Sequence, residues 1–561
     1  MKKLLAIILC VCLSMTSLAL FAQAADAPLK VTLVSDTHLS ELALTGVTAH
    51  NSIDEDYSHV ISSGNMLAES RAIFAAFLKE AAENDSKYLL VCGDITNYGS
   101  VAETALAVSM LSEFEAETGK TVFVINGNHD VVGHNSDSFK LAFAGLGYDK
   151  AIAIDPDSCS YVAELDESYR LIAIDSAAEG ISGDGFNPQR IEWIKAQAAA
   201  AKRAGKHLIA ITHHNIIEHF PLQTKIFKSS VASLSHGLCD LFADLGIKYV
   251  FSGHSHDVDI SSYKSEKGNI FYNVIVPALS VYPSGYRTVS FSREVEIKHH
   301  KLSAIDTALL PTGFSDPALS DMQSNWSAYI KKSFKIGIAT ALNSYLRPAS
   351  VKNALGVTNE TAPEIAAAID SALPRFVEAI DLPLYIKDAN GSESLESLAA
   401  RYQARIPDSG YKTARDLFCE GAAAFFAGGE LGMDSEIGLM VNVLATVLNY
   451  ALAEVSDTAY AAILSLLVSK LGAERYVTEN LINYAASAVR RFDGIEYALA
   501  AGLTPLFIEM MGDEAPADYN TSLPGYGYTY NAGYSFIEFI QRIFNKLVQI
   551  YYTILAFFKL A

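Results

Sequence analysis

Five separate segments of the sequence end in side chains that are good metal ligands. Each segment begins as an apolar run, and the polar residues that follow are Asp36 and His38 in SDTHL, Asp94 in CGD, Asn128, His129 and Asp130 in GNHD, His213 and His214 in THHN, and His254 and His256 in GHSH. Carboxylate, amide and imidazole ligands without thiolates suit borderline divalent or trivalent metals. Each motif alone is a weak signal, but five in this order predict one shared metal site.

The spacing within the motifs favours two metals rather than one. Side chains two residues apart, as in Asp36-x-His38 and His254-x-His256, point the same way if the backbone stays extended. A carboxylate such as Asp94 has two oxygens and can bridge two cations. Two metals roughly 4 Å apart can hold the attacking and leaving oxygens of a displacement at phosphorus, and they lower the pKa of a bridging water.

The elements that must position these residues are predicted to be strands of a layered α/β sheet. The apolar runs alternate with helical stretches between about residues 29 and 302, and they read LKVTLVSD, KYLLVCGD, TVFVINGN, RLIAIDS, HLIAITHH and KYVFSGHSH. Continuous apolar segments of this length are typical of strands buried on both faces. In open α/β sheets, sites form beyond the carboxyl ends of the strands. The later runs NIFYNVIVPALSVY, YRTVSFS and EVEIKHH predict an antiparallel meander that closes the domain.

This set of motifs resembles that of the calcineurin-like metallophosphoesterases over roughly half of the chain. The matching residues are DTH at 36–38, GD at 93–94, GNHD at 127–130, HH at 213–214 and GHSH at 253–256. Within the family, SDTHL, GDITNYG and the W-x-x-x-Q helix before THHN look most like the bacterial branch that includes cyclic-nucleotide phosphodiesterases. The resemblance implies an α/β fold, a four-layer αββα metallophosphoesterase sandwich, with two divalent or trivalent ions (Mn, Fe or Zn).

The resemblance also implies a role for each motif residue. One metal would bind Asp36, His38, Asp94 and His256, and the second would share Asp94 and add Asn128, His213 and His254. His214 is the alternative to His213, because many relatives have proline soon after the matching histidine and this chain has His214 and Asn215. The resemblance makes His129 a catalytic group that faces the phosphate, with Asp130 orienting its imidazole by a hydrogen bond.

The rest of the chain predicts a different architecture. Strand signals vanish from residue 316 to 513, where Ala- and Leu-rich periodicity predicts an all-α domain after the phosphoesterase domain of residues 29–305. The stretch EIGLMVNVLATVLNYALAE, which is almost uncharged, predicts the buried centre of that domain, with a transmembrane helix as the alternative. Residues 514–535 are predicted to be a linker. Residues 536–561 predict an amphipathic C-terminal helix that contacts a membrane surface or a partner, or packs on its own domain.

The N-terminus predicts export. Residues 1–24 read as a secretory signal peptide, with Lys2 and Lys3, an apolar region and a small-x-small site ending at Ala24; an uncleaved anchor is the alternative. Loss of the two lysines would change the formal charge of −21 to −23. Such an acidic protein is not expected to bind long nucleic acid.

Four cysteines lie outside residues 1–24, at positions 92, 159, 239 and 419. They have no spacing typical of a metal site, and Cys92 is expected to be a buried thiol.

Two functions remain open at this point. The first is an exported or envelope-associated hydrolase that cleaves a phosphodiester or phosphomonoester of small size by attack of a metal-bridging hydroxide. A diester is favoured because no cationic side chains for a dianion accompany the motifs. The second is an envelope-associated binding or scaffold protein whose phosphoesterase domain is vestigial, and the intact motif set argues against it.

Overall fold

The computed structural model describes residues 28–45, 64–177, 185–220, 223–226, 231–232, 235–314, 319–385, 393–401, 405–429, 436–471 and 516–526. The predicted signal peptide and the predicted helix of residues 536–561 lie outside the described residues. The strands are β1 Leu29–Val34, β2 Tyr88–Cys92, β3 Thr121–Ile125, β4 Ala151–Ile154, β5 Tyr161–Glu164, β6 Tyr169–Ile174, β7 His207–Thr212, β8 Tyr249–Ser252, β9 Ile260–Lys264, β10 Ile270–Ile275, β11 Gly285–Phe291, β12 Glu294–Lys301 and β13 Thr521–Pro524.

The helices fall into two groups along the chain. Those between the strands are α1 Leu42–Thr45, α2 Ser70–Glu83, α3 Val101–Thr118, α4 Asp130–Gly133, α5 Ser136–Ala142, α6 Pro188–Arg203, α7 Gln223–Ile226 and α8 Ser235–Leu245. Those that follow the strands are α9 Leu319–Ser324, α10 Trp326–Tyr345, α11 Pro348–Leu355, α12 Pro363–Asp381, α13 Leu395–Arg401, α14 Ala414–Phe426, α15 Glu436–Leu452 and α16 Asp457–Leu471.

The strands form two mixed sheets that pack face to face. The first has the order β13-β12-β11-β1-β2-β3, and the second has the order β4-β5-β6-β7-β8-β10-β9. Strands β1, β2 and β3 run parallel, as do β6, β7, β8 and β10. All six runs predicted as buried strands are strands, and each has mostly buried residues, as parallel strands covered on both faces require.

The outer layers are helical, which confirms the αββα sandwich. On the first sheet, Phe74 of α2 and Leu111 of α3 join the core that also fills the space between the sheets. On the second sheet, Ile194 of α6 and Phe242 of α8 pack in a separate cluster on its outer face. The carboxyl ends of the parallel strands in both sheets are therefore held by packing on both faces.

The predicted meander after β8 is wrong in part. Strand β10 pairs with β8 and β9 in the second sheet, whereas β11 and β12 pair with each other in the first. The segment of residues 276–284 crosses from one sheet to the other. An apolar run specifies that a strand is buried, but the run does not record which sheet buries it.

The predicted linker of residues 514–535 also needs correction. Strand β13 extends the first sheet by pairing with β12. The carbonyl oxygen of Asp518 accepts a hydrogen bond from the buried guanidinium of Arg287 at 2.7 Å, and the buried Tyr526 donates through its hydroxyl to the carbonyl of Leu208. The described residues 516–526 are therefore part of the phosphoesterase domain, reached from a distant point of the chain.

The described residues between 319 and 471 form a helical region with its own apolar clusters. Helix α15, which forms most of the almost uncharged stretch, buries Val443 and Val447 against α12, α13 and α14. Among the helices that the structure describes, none is both long and apolar enough to cross a membrane. The four cysteines outside the predicted signal peptide are buried free thiols.

Candidate metal centre

The predicted ligands meet where strands from both sheets end. Asp36 and His38 follow β1, Asp94 follows β2, Asn128 follows β3, His213 follows β7, and His254 and His256 follow β8. Asp36, His38, Asp94 and His213 are fully buried or nearly so. The side chains form overlapping groups of donor atoms that could hold metal ions.

The first group consists of Asp36, His38 and His256. Oδ1 of Asp36 lies 3.2 Å from Nε2 of His256 and 3.9 Å from Nε2 of His38, and the two imidazole nitrogens are 3.4 Å apart. Three donors so close together in a buried site fit one cation.

The second group consists of Asp94, His213 and His254, with Asn128 beside it. Oδ2 of Asp94 lies 3.1 Å from Nε2 of His213, which is also 2.9 Å from Oδ1 of Asn128 and 3.2 Å from Nδ1 of His254. The same Oδ2 of Asp94 is 3.9 Å from Nε2 of His38 in the first group. Asp94 thus stands between the two groups, where a bridging ligand would be.

The backbone at these residues is left-handed rather than extended. Among the described residues, six other than glycine have positive φ, and five of them are Asp36 (51°), His38 (42°), Asp94 (47°), His254 (69°) and His256 (66°). The expected extended geometry of the D-x-H and H-x-H motifs is therefore wrong, although their side chains do converge. Strained backbone of this kind persists where surrounding structure enforces it, and it clusters at functional sites.

Two glycines allow the carboxylates their positions. A Cβ atom on Gly127 would overlap Oδ1 and the backbone nitrogen of Asp94, and one on Gly253 would overlap Oδ2 of Asp36. The glycines of GNHD and GHSH are thus required by close approach of the backbone to the two carboxylates.

Protonation favours the ligating form of two histidines. Burial is the largest effect on His38 and His254, and it lowers the pKa of each to about 3. Neutral imidazole is the form that binds metal. For Asp36, burial raises the pKa, but His256 and His213 together lower it to about 2. Among the described residues, the basic side chains within 4 Å of the two carboxylates are histidines.

His213 is held in the tautomer that a ligand needs. Its Nδ1–H donates to the carbonyl oxygen of Cys92 at 3.0 Å, which leaves Nε2 facing Asp94 and Asn128. Burial lowers the pKa of His213, but Asp94 outweighs it and raises the value to about 9, so metal binding must displace a proton there. The donor set, with its two carboxylates and its oriented imidazole, fits a pair of cations.

His214, the alternative ligand, faces another way. Its Nδ1 lies 2.9 Å from Oγ of Ser176, and its ring packs on that of His254 with centroids 4.3 Å apart. Burial lowers its pKa well below the usual range. The geometry places His213 rather than His214 among the candidate donors, and it gives His214 a supporting position behind His254.

His129 lies beside His38 and Asp94, but Asp130 does not orient it. The Nδ1–H of His129 donates to the carbonyl oxygen of Asn97 at 2.8 Å, and its backbone N–H donates to Oδ1 of Asp94 at 2.8 Å. The carboxylate of Asp130 instead accepts from the backbone N–H groups of Ile95, Thr96 and Gly127 and from the Thr96 hydroxyl. The predicted contact between Asp130 and His129 is wrong, because this carboxylate is used to tie two loops together.

One contact to the site has no sequence signal. The Ser280 hydroxyl donates to the carbonyl oxygen of Asp36 at 2.9 Å, from a segment 244 residues further along the chain. A serine in an apolar run gives no indication of such a contact, which depends on how the segment of residues 276–284 crosses between the sheets.

One family model spans all the strands that lead to the candidate ligands. The family model for calcineurin-like phosphoesterases matches residues 29–258. No curated protein sequence matches the chain. Similar solved structures include a dimetal phosphatase from Danio rerio (10% identity, 50% of this chain and 98% of that chain, TM-score 0.37). A purple acid phosphatase from yellow lupin is 14% identical, covers 49% of this chain and 52% of that chain, and has a TM-score of 0.32. A phosphopantetheinyl hydrolase from Mycobacterium tuberculosis is 13% identical, covers 45% of this chain and 90% of that chain, and has a TM-score of 0.24.

Proposed function

Since residues 29–258 form a calcineurin-like phosphoesterase domain, we propose that the protein is an exported phosphoester hydrolase that uses two metal ions and prefers phosphodiesters of small molecules. The observation that carries the proposal is the convergence of two donor groups on Asp94, whose Oδ2 lies 3.1 Å from His213 and 3.9 Å from His38. A buried carboxylate between two sets of imidazoles is the arrangement that a metal pair requires.

The residues divide between the two ions by their distances. Asp36, His38 and His256 would hold one ion, and Asn128, His213 and His254 would hold the other, with Asp94 shared. When bound, two such cations neutralise charge on the phosphate and make water a nucleophile at neutral pH. Mn, Fe and Zn all accept this mixture of oxygen and nitrogen ligands.

His129 is proposed to move a proton at the leaving oxygen. Its Nδ1–H is occupied by the Asn97 carbonyl, so Nε2 is the atom that can carry a proton to the substrate. The bond from its backbone N–H to Asp94 fixes the imidazole relative to the shared ligand. A histidine placed in this way contributes by general acid catalysis and by stabilising developing charge.

Electrostatics support a diester rather than a monoester. A phosphomonoester dianion carries one more charge than a diester, and sites for it often add lysine or arginine. Among the described residues, the ion-pair contacts of Asp36 and Asp94 within 4 Å are to histidines. The proposed export rests on the N-terminal sequence alone, in which two lysines, an apolar region and a small-x-small site resemble a signal peptide.

The test uses purified protein that has been stripped of metal and reloaded with Mn²⁺. We expect turnover of bis(p-nitrophenyl) phosphate to exceed turnover of p-nitrophenyl phosphate, and we expect Asn128→Ala to lower the rate and the metal content together. Turnover of neither ester by metal-loaded wild-type protein would contradict the proposed activity. A clear preference for the monoester would contradict the diester assignment alone.

A further inference from the structure

The helical region contacts the loops that carry the candidate metal ligands. Helices α10 and α14 lie together, and Lys335 of α10 links them through contacts of 2.8 Å to Asp416 and 2.6 Å to Glu420 of α14. One face of this pair packs on the phosphoesterase domain. There, Phe334 of α10 and Ala423 of α14 are fully buried in one cluster with residues of the segment 276–284.

That packing leads directly to Asp36. Ala278 and Val281 pack against Phe334, and between them Ser280 donates through its backbone N–H and its hydroxyl to the carbonyl oxygen of Asp36 at 3.2 and 2.9 Å. Asp36 has a strained positive φ that its surroundings must maintain. The helix pair thus supports the segment that holds the backbone of this ligand.

The end of α14 reaches two further ligand loops. Phe425 packs edge-on against Phe220, in the loop that follows His213, with ring centroids 5.2 Å apart. Gly428 has a φ of 66°, and a Cβ added there would lie 2.7 Å from the carbonyl oxygen of Val258, two residues after His256. The neighbouring carbonyl of Ala427 accepts a hydrogen bond from the Tyr519 hydroxyl.

We propose that the helix pair α10–α14 is a brace for the metal centre, and that Phe425 and Gly428 are its positioning residues. The brace contributes no ligand to the groups described above. It fixes the loops after β7 and β8 and the segment 276–284 relative to one another, so that donors from both sheets stay at ligand distance. Metal affinity therefore depends on residues of the helical region. This inference rests on the proposed metal-dependent function.

The decisive variant is Gly428→Ala, and the chain offers a matched control. Gly119 has nearly the same backbone angle, with a φ of 69°, but a Cβ added there would have no atom within 4 Å. Both substitutions impose the same left-handed strain on alanine. Only Gly428→Ala also pushes on the loop of His256, where the neighbouring atom is backbone and cannot rotate away.

Mn²⁺ binding to the full chain is measured by isothermal titration calorimetry, with circular dichroism to check folding. We expect Gly428→Ala to weaken Mn²⁺ binding by about tenfold or more, and Gly119→Ala to leave it within about twofold. Phe425→Ala, which alters a half-buried side chain and should fold, is expected to weaken Mn²⁺ binding by a smaller factor. Hydrolysis of bis(p-nitrophenyl) phosphate by Gly428→Ala should recover as Mn²⁺ is raised.

Two results would overturn the brace. One is wild-type Mn²⁺ affinity in both Gly428→Ala and Phe425→Ala, and the other is an equal loss of affinity in Gly428→Ala and Gly119→Ala. If wild-type protein itself binds no Mn²⁺, the proposed function fails first, and the two failures are thereby distinguished.

Discussion

The substitution Asp94→Asn tests the shared ligand with little change of shape. Oδ1 of Asp94 accepts from the backbone N–H of His129 at 2.8 Å, so the asparagine must keep its oxygen at that position. The amide NH₂ group then replaces Oδ2, the atom that lies near both His213 and His38. Because an amide NH₂ group has no lone pair to offer a cation, one substitution removes a ligand from both metals.

The size of the effect follows from linkage between metal binding and folding. A ligand present at about 100 times its Kd stabilises the folded state by about 2.7 kcal/mol per site, so two sites give roughly 5 kcal/mol. For a domain of this size that free energy corresponds to a rise in Tm of roughly 10 °C or more. We expect less than about a third of that rise in Asp94→Asn, and a fall in kcat/KM of about 10³-fold, or roughly 4 kcal/mol.

The assay is thermal unfolding with EDTA and with Mn²⁺, followed by circular dichroism. Asp155→Asn is the control, since Asp155 is also a buried carboxylate but belongs to neither donor group. The Asp155→Asn substitution should lower the Tm of the metal-free protein, but Mn²⁺ should still raise Tm by as much as in the wild type. A folded Asp94→Asn protein with the wild-type rise in Tm would refute the bridging role of Asp94.

Other substitutions separate ligands from supporting residues. For His129→Ala we expect kcat to fall by about 10²- to 10⁴-fold in steady-state assays while both metals remain bound, because its imidazole is assigned to proton transfer; wild-type turnover would remove that role. The metal content, measured by plasma mass spectrometry, should fall in His213→Ala and stay at the wild-type level in His214→Ala, and the reverse pattern would exchange their assignments. Asp130→Ala should lower the free energy of unfolding of metal-free protein in urea by about 3 kcal/mol, since it leaves buried backbone N–H groups without an acceptor; no loss would mean that the two loops hold together without it.

The convergence of the ligands was predictable because buried parallel strands leave a strong pattern. Continuous apolar runs identified the buried parallel strands, and the rule that sites form at carboxyl ends then brought Asp36, Asp94 and His256 to one edge. The choice between His213 and His214 was not predictable from the residues alone. It depends on a hydrogen bond from His213 to the carbonyl of Cys92 in another strand.

Contacts between distant parts of the chain left no such pattern. Nothing in the residues around Thr521–Pro524 indicates that they pair with β12, because edge strands are short and half-exposed. The left-handed backbone at Asp36 and His38 was also missed, since non-glycine residues adopt it only when tertiary structure enforces it. For the same reason, Asp130 was predicted to contact its neighbour His129, whereas its partners are Gly127 and the residues Ile95 and Thr96 of another loop.

An anomalous-difference map of crystals grown with Mn²⁺ shows whether two ions bind on either side of Asp94. We expect two peaks roughly 4 Å apart, one among Asp36, His38 and His256 and the other among Asn128, His213 and His254, with Asp94 between them. A single peak, or no peak beside Asp94 in crystals that contain Mn²⁺, would contradict this expectation.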